Sequence, residues 1–333
     1  MKIIIPMAGM GKRMRPHTLT VPKPLIPIAG KPIVHRLVED IAKVCGQGVE
    51  EIAFVVGRFG EEVEQKLIEI AESVGAKGSI YYQDEPLGTA HAVYCAEKSL
   101  DGNVVVAFAD TLFKADFTLD PTKEGIIWVQ KVLDPRQFGV VKLNQEGTIT
   151  DFIEKPQEFV SDLAIIGIYY FKDGKALKTE IKHLLDNNIH VKGEFQLTDA
   201  LENLKQKGTR FVPGQVGEWL DCGNKNETVK TNSRYLTYLA DQKLIADSAL
   251  VINSTIIPPV FIGENTRITN SVIGPHVSVG NNTEISHSVI SESIIQENTT
   301  ISQAVFTNSM IGNFARIEKQ PSEYSVGDYN ILK

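Results

Sequence analysis

Cysteine is scarce in this chain. Its three thiols, Cys45, Cys95 and Cys222, are odd in number and widely spaced. That pattern excludes a disulfide framework and a zinc motif, and leaves each thiol to pack as a small apolar group. Positive charge is not in excess either: 34 Lys and Arg against 41 Asp and Glu give a formal net charge of −7. This is the wrong sign for a surface that binds nucleic acid or an anionic membrane. Long hydrophobic runs are missing, none approaching the roughly eighteen residues of a membrane span. The chain passes from Lys2 straight into Ile3-Ile4-Ile5 without a signal-peptide pattern, so a cytoplasmic protein is expected.

What is present has two textures. The 333 residues, 42% of them hydrophobic, suit an enzyme with one large domain and a smaller one. Ile3–Ile5, Ile52–Val56, Ser79–Tyr82 and Val104–Phe108 are short β-branched runs. Between them Ile33, Val34, Leu37, Val38, Ile41 and Ala42 recur at helical spacing, as do Val63, Leu67, Ile70 and Val74. Strand alternating with helix predicts a Rossmann-like α/β fold, a sheet covered on both faces with ligands at the carboxyl ends of its strands. The pattern turns β-rich from Gly125 to Tyr170, extending the sheet into a mixed one with a substrate lobe, and helices are expected over Ala176–Leu185 and Asp199–Gln206.

After Asp247 isoleucine and valine recur every five or six residues, from Ile262, Ile268 and Ile273 to Ile311 and Ile317, with Gly, Asn, Ser and Thr between. Three such steps make a coil of about 16 to 17 residues with one inward apolar residue per side. The pattern resembles the hexapeptide left-handed parallel β-helix, as at Ile273-Gly274-Pro275-His276 and Val279-Gly280-Asn281-Asn282. The expected division is a catalytic domain over 1–226, a connecting helix over 227–247, and the β-helix with its tail over 248–333. A short prism leaves strand edges and apolar ends uncovered, so it is expected to assemble a homo-oligomer.

The chemistry-bearing motifs begin at the first strand. It empties into Ala8-Gly9-Met10-Gly11-Lys12-Arg13, followed by Pro22-Lys23-Pro24-Leu25 and Gly30-Lys31-Pro32. Small residues bring backbone N–H groups close to a polyphosphate, and the cations balance its charge. The spacing fits neither G-x-x-x-x-G-K-S/T nor G-x-G-x-x-G. Taken alone, the glycines could equally mark turns. Gln83 to Ala92 follows the third strand, Asp110 closes the Val104 strand, and Glu154-Lys155-Pro156 and Trp219-Leu220-Asp221-Cys222-Gly223 lie further on. The first three have plainer readings, respectively a helix start, a helix cap and a charged turn.

Together and in this order, these strings resemble the sugar-1-phosphate nucleotidyltransferases, whose signature runs A-G-x-G-T-R, P-K-P-L, G-K-P, Q…L-G-T, Y-G-V-V, E-K-P and W-x-D-x-G. The resemblance covers nearly the whole chain. It implies nucleotide contacts at Ala8, Gly9, Gly11, Arg13, Lys23, Gln83, Gly88 and Thr89, with Arg13, Lys23 and Asp110 catalytic. It further implies sugar-phosphate contacts at Gly139, Glu154, Lys155 and Gly167, and a Mg2+ held by Asp110 and Asp221. Magnesium suits two carboxylates because it takes its other oxygens from phosphate and water. The Gln83/Gly88 spacing is similar to that of thymidylyl and uridylyl members, favouring dTTP or UTP as partner to a hexose 1-phosphate, with glucose 1-phosphate favoured.

The sequence departs from the signature at Lys12, where threonine is usual, at Met7-Ala8, and at Ala109, where relatives read glycine before the aspartate. Ile165 and Ile166 are less polar than several relatives carry. His91 is read as a helix-start residue, since an anionic sugar phosphate needs no general base. The alternatives are a guanylyl transferase acting on mannose 1-phosphate, a hexapeptide acyltransferase using His276 or His287, and a silent regulatory subunit.

Overall fold

The computed structural model describes every residue except Gln47, Tyr324, Gly327, Asp328, Asn330, Leu332 and Lys333. The last part of the tail expected within 248–333 therefore lies outside the described residues. Two compact units emerge: 1–26 with 31–224, and 27–30 with 225–333.

The first unit carries β1 (Lys2–Pro6) and, past the short strands β2 (Pro27–Ile28) and β3 (Lys31–Pro32), α1 (Ile33–Cys45), β4 (Glu51–Val56), α2 (Glu61–Glu72) and β5 (Lys77–Tyr82). Then come α3 (Thr89–Cys95), β6 (Val104–Ala107), β7 (Thr111–Lys114), β8 (Gly125–Lys131), β9 (Gly139–Leu143), β10 (Ile149–Glu154) and β11 (Leu163–Phe171). Helices α4 (Gly174–Asp186) and α5 (Leu197–Gln206) precede β12 (Phe211–Gln215) and β13 (Glu218–Asp221). The strands and helices expected from periodicity are all present, with ends moved by a residue or a few.

The main sheet runs β10-β9-β11-β6-β1-β4-β5, with β8 pairing β11 and β12. The segment β6-β1-β4-β5 is parallel, and β11 joins β6 antiparallel, so the sheet is mixed. Ile3, Ile4 and Ile5 are wholly buried, as a central strand covered on both faces requires. β1, β5 and β6 all point their carboxyl ends to one edge, where Met7, Gln83 and Phe108 begin the loops of the site.

Among the described residues the second unit holds a parallel β-helix of three sheets, of five, four and four strands. Its first turns advance seventeen residues, pairing Leu250 with Arg267 and Arg267 with Glu284. Later turns advance sixteen, pairing Glu284 with Thr300 and Thr300 with Arg316. Ile262, Ile268, Ile273, Val279, Ile285 and Ile290 fill the prism. Each corner needs a residue in the left-handed region, and Asn supplies most of them because its short amide tolerates that conformation: Asn253, Asn265, Asn270, Asn282, Asn298 and Asn308 all have positive φ.

The two histidines considered for acyl transfer occupy the same kind of corner, His276 at φ 60° and His287 at φ 49°. His287 Nε2 lies 3.0 Å from Asn270 Nδ2 in a side-chain ladder, and His276 Nε2 lies 3.2 Å from Thr237 Oγ1. Both are absorbed by the architecture of the coil.

Helix α6 covers Lys225–Tyr238, ending short of the range 227–247 expected from sequence. The chain beyond is claimed by the first coil: Ile245 bridges Ile262 in parallel, and Ala246 N–H donates to the Ile262 carbonyl at 2.9 Å. The helix belongs to the second unit through Asn232, which is wholly buried. Its Oδ1 accepts from Ala29 N–H at 2.9 Å and from Ser278 Oγ at 2.7 Å. That pair of bonds ties residues 27–30, far apart in sequence, to the β-helix.

Candidate functional site

A cavity of about 500 Å³ opens at the carboxyl ends of β1, β5 and β6. Ala8, Gly9, Gly11, Arg13, Lys23, Gln83, Gly88, Thr89 and Asp110 all line it, so every residue singled out for nucleotide contact meets at one place. Met7, Met10, Phe108, Ala109 and Glu194 complete much of the wall. Met7 and Met10 belong to the same loop as Gly9 and Gly11, and Phe108 and Ala109 directly precede Asp110, so the motif strings carry these neighbours into the wall with them.

Part of the cavity wall is built on a tight loop. Gly11 has φ 56° and accepts Met14 N–H at 2.8 Å, opening a single turn of 3-10 helix over Lys12–Met14 that carries Arg13. A Cβ on Gly11 would stand 3.0 Å from Lys23 Cβ, so its bareness lets the two cation-bearing loops pack together. Gly9 differs: a Cβ there would meet nothing within 4 Å, and its openness faces space for a ligand.

Two acidic residues come together by sheet pairing. β13 lies antiparallel to β7 with Asp221 opposite Thr111, and Cys222 N–H donates to the Asp110 carbonyl at 2.9 Å. Burial holds the Asp221 carboxyl above its ordinary range, and repulsion from Asp110 adds to this, while Lys23, Gly223 N–H and Arg13 pull the other way. Lys23 Nζ reaches Asp110 Oδ2 at 3.0 Å. Gly223 leaves room beside the pair, since a Cβ there would stand 2.9 Å from Asp221 Oδ2 and 3.4 Å from the Arg13 guanidinium.

Two carboxylates that repel one another fit a divalent cation bound mainly through phosphate and water oxygens. Among the described residues no group of three or more His, Cys, Asp or Glu forms a closed cage.

Another part of the wall is held by Gly88 and its neighbours. Gly88 has φ 104°, and a Cβ would lie 2.5 Å from the Phe195 carbonyl oxygen. Glycine is thus needed here for backbone packing as well as for any approach of a base. Ala90 N–H donates to the Phe195 carbonyl at 2.9 Å, and Phe195 N–H donates to the Leu87 carbonyl at 2.8 Å. Thr89 Oγ1 accepts Leu197 N–H at 2.9 Å, locking α3 to α5. His91, read from sequence as a helix-start residue, places Nδ1 3.1 Å from the Gln83 amide nitrogen.

The residues expected at the sugar phosphate form a neighbouring group. Glu154 Oε1 lies 3.3 Å from Lys155 Nζ, and Thr198 Oγ1 donates to Glu154 Oε2 at 3.4 Å. Gly139 faces them, a Cβ there standing 3.0 Å from Glu154 Oε2. Lys155 sits at φ 42°, a conformation that costs a side-chain-bearing residue about 1 kcal/mol or more, and its N–H donates to the Phe138 carbonyl at 3.1 Å. The Gly167 carbonyl accepts Phe108 N–H at 2.9 Å, joining this group to the wall of the cavity. Burial pushes the Tyr169 phenol up, with Glu154 and then Asp110 adding to it, so this ring lies within the field of both carboxylates. Asp199 is likewise held up by burial and by Glu154.

Residues 2–237 match the family model described as nucleotidyl transferase. The low-salt glycan biosynthesis nucleotidyltransferase Agl11 of Haloferax volcanii is 32% identical over 262 residues, covering 75% of this chain and 71% of that protein. The bifunctional protein GlmU of Methanococcus maripaludis is 35% identical over 239 residues, covering 71% of this chain and 54% of that protein, so the match spans about half of this longer relative. The crystal structure of an apo UDP-glucose pyrophosphorylase superposes with a TM-score of 0.58 at 25% identity, covering 71% of this chain and 98% of that one.

Proposed function

The chain belongs to the nucleotidyl transferase family, and from that premise we propose that it joins a hexose 1-phosphate to a nucleoside triphosphate, releasing pyrophosphate and a nucleotide sugar. The observation that carries this reading is the convergence of Arg13, Lys23, Asp110, Gly223, Gln83 and Gly88 on a single cavity, with Asp221 in the field of Asp110, Lys23 and Arg13. A pyrimidine triphosphate, dTTP or UTP, is the favoured donor and glucose 1-phosphate the favoured acceptor. The likeness to a UDP-glucose pyrophosphorylase supports both choices.

In the reaction an oxygen of the sugar phosphate attacks the α-phosphorus in line. One P–O bond forms there as the bond to the β-phosphate breaks, and pyrophosphate leaves. The nucleophile is already an anion, so the protein's task is positioning and charge neutralisation. Arg13 and Lys23 line the phosphate end and balance charge that builds there. Glu154 accepts from sugar hydroxyls, and Lys155 holds the sugar phosphate. Asp110 and Asp221 would hold Mg2+, which when bound neutralises the triphosphate further. Among the described residues no helix is long and apolar enough to cross a membrane. The β-helix assembles copies of the chain.

Pyrophosphate release measured across the nucleoside triphosphates and several hexose 1-phosphates tests the proposal. Turnover with dTTP or UTP and glucose 1-phosphate is expected. A clear preference for GTP with mannose 1-phosphate would move the reading to guanylyl transfer, and no release with any pair would overturn it.

A further inference from the structure

Gln83 leaves the end of β5 with its amide already engaged. Nε2 lies 3.2 Å from the Gly88 carbonyl oxygen and 3.1 Å from Nδ1 of His91. A backbone carbonyl accepts and never donates, so the group facing Gly88 must be the amide NH2 and not its oxygen. The same nitrogen then donates to His91, whose Nδ1 is the acceptor and whose ring proton rests on Nε2. Burial favours the neutral ring, against smaller pulls from the charge of Glu85 and from a hydrogen bond to the Glu85 backbone. Cys95 Sγ stands 4.0 Å from His91 Nε2. Among the described residues no hydrogen bond engages Gln83 Oε1, and both Gln83 and Gly88 line the cavity.

An unconstrained glutamine could both donate to a base and accept from it. Here both amide hydrogens are taken, and only the oxygen remains for a ligand. We infer that His91 is a positioning residue which, together with the Gly88 carbonyl, makes Gln83 a pure acceptor and thereby selects bases that present a ring N–H. Uracil and thymine carry that hydrogen on N3 and guanine on N1. Cytosine N3 and adenine N1 carry a lone pair instead, which would face the Gln83 oxygen unpaired. A buried polar group left without its partner is the strongest source of discrimination a pocket has. The inference rests on the proposed reading that Gln83 faces the base.

The test measures kcat/KM for UTP, dTTP, GTP, CTP and ATP with glucose 1-phosphate, in the full-length protein and in His91→Phe, His91→Leu and His91→Gln. Wild type should favour the first three triphosphates over the last two. Phe keeps the ring without its nitrogen, which frees one amide hydrogen of Gln83. The UTP-to-CTP ratio should then narrow about tenfold, the scale of a single hydrogen bond, while KM for glucose 1-phosphate stays unchanged. Leu serves the same purpose should Phe fail to fold, and Gln, whose side-chain oxygen can accept, should restore most of the ratio. An unchanged ratio in either folded variant, or an equal loss with every base, overturns the role of His91 while leaving the transferase reading intact. A wild type that prefers CTP or ATP also overturns it, and a wild type that turns over no triphosphate overturns both.

Discussion

Lys23 Nζ lies 3.0 Å from Asp110 Oδ2, on a side chain of which only 10% is exposed. A buried ammonium is stable only beside its counter-charge, and under the proposed function more negative charge arrives beside this one with the substrate. Its neighbour Arg13 shares the wall. Arg13→Ala should therefore lower kcat roughly a hundredfold or more, the usual scale for removing one preorganised group from developing charge, with little change in the unfolding midpoint. Lys23→Ala should lose as much activity and also some stability, because Asp110 is left without its partner. Steady-state kinetics beside a thermal melt separates the two; normal kinetics in folded Arg13→Ala would refute the phosphate-end assignment.

Asp221 gives a prediction with a definite sign. Its carboxyl is held above the ordinary 3.8 in the folded chain, so the folded state binds more protons than the unfolded state just above that value. Stability is then fully present below about pH 3.8 and declines as pH rises through the folded-state pKa. Asp221→Asn should flatten that decline and raise the melting temperature of the metal-free protein at pH 7 while abolishing most activity. Mg2+ should raise the melting temperature of wild type more than that of the variant. Equal magnesium shifts in both proteins would count against a shared site at Asp110 and Asp221.

Glu154 is tied to Lys155 and Thr198 and is not among the residues lining the cavity of Arg13, Lys23 and Gln83. Glu154→Gln should raise KM for the hexose 1-phosphate at least tenfold, the scale of losing a charged hydrogen-bond acceptor. KM for the nucleoside triphosphate should stay within about twofold. A matching rise in both constants would place Glu154 with the nucleotide.

The assembly role of the β-helix is best tested by point substitution. Deleting it would strip α6 of the partner that Asn232 binds. Val289 and Val305 pair on one sheet with 47% and 72% of their surfaces exposed. The Val289→Asp, Val305→Asp double variant should lower the mass seen by light scattering while transferase activity persists. An unchanged mass would remove this face from the proposed oligomer contact.

Much of this protein was legible from the chain alone. Local periodicity placed β1, β4, β5, β6 and β8 to β11, because β-branched runs and helical stripes each satisfy their own geometry without reference to distant residues. The β-helix was equally plain, since its inward isoleucines repeat with the coil. Motif strings carried the family resemblance and its site residues.

Tertiary structure decided the rest, and in each case because a long-range pairing was involved. Asp110 and Asp221 meet only because β7 and β13 pair side by side. Residues 27–30 join the second unit through the bond from Ala29 to Asn232, and Ile245 leaves the helical pattern for the first coil because it pairs with Ile262. The amide of Gln83 has two orientations in sequence and one in the fold, where a carbonyl at Gly88 and a ring nitrogen at His91 leave its hydrogens no other place. Composition and spacing specify which groups are available; only their packing determines which hydrogen-bonding capacity is left for a ligand.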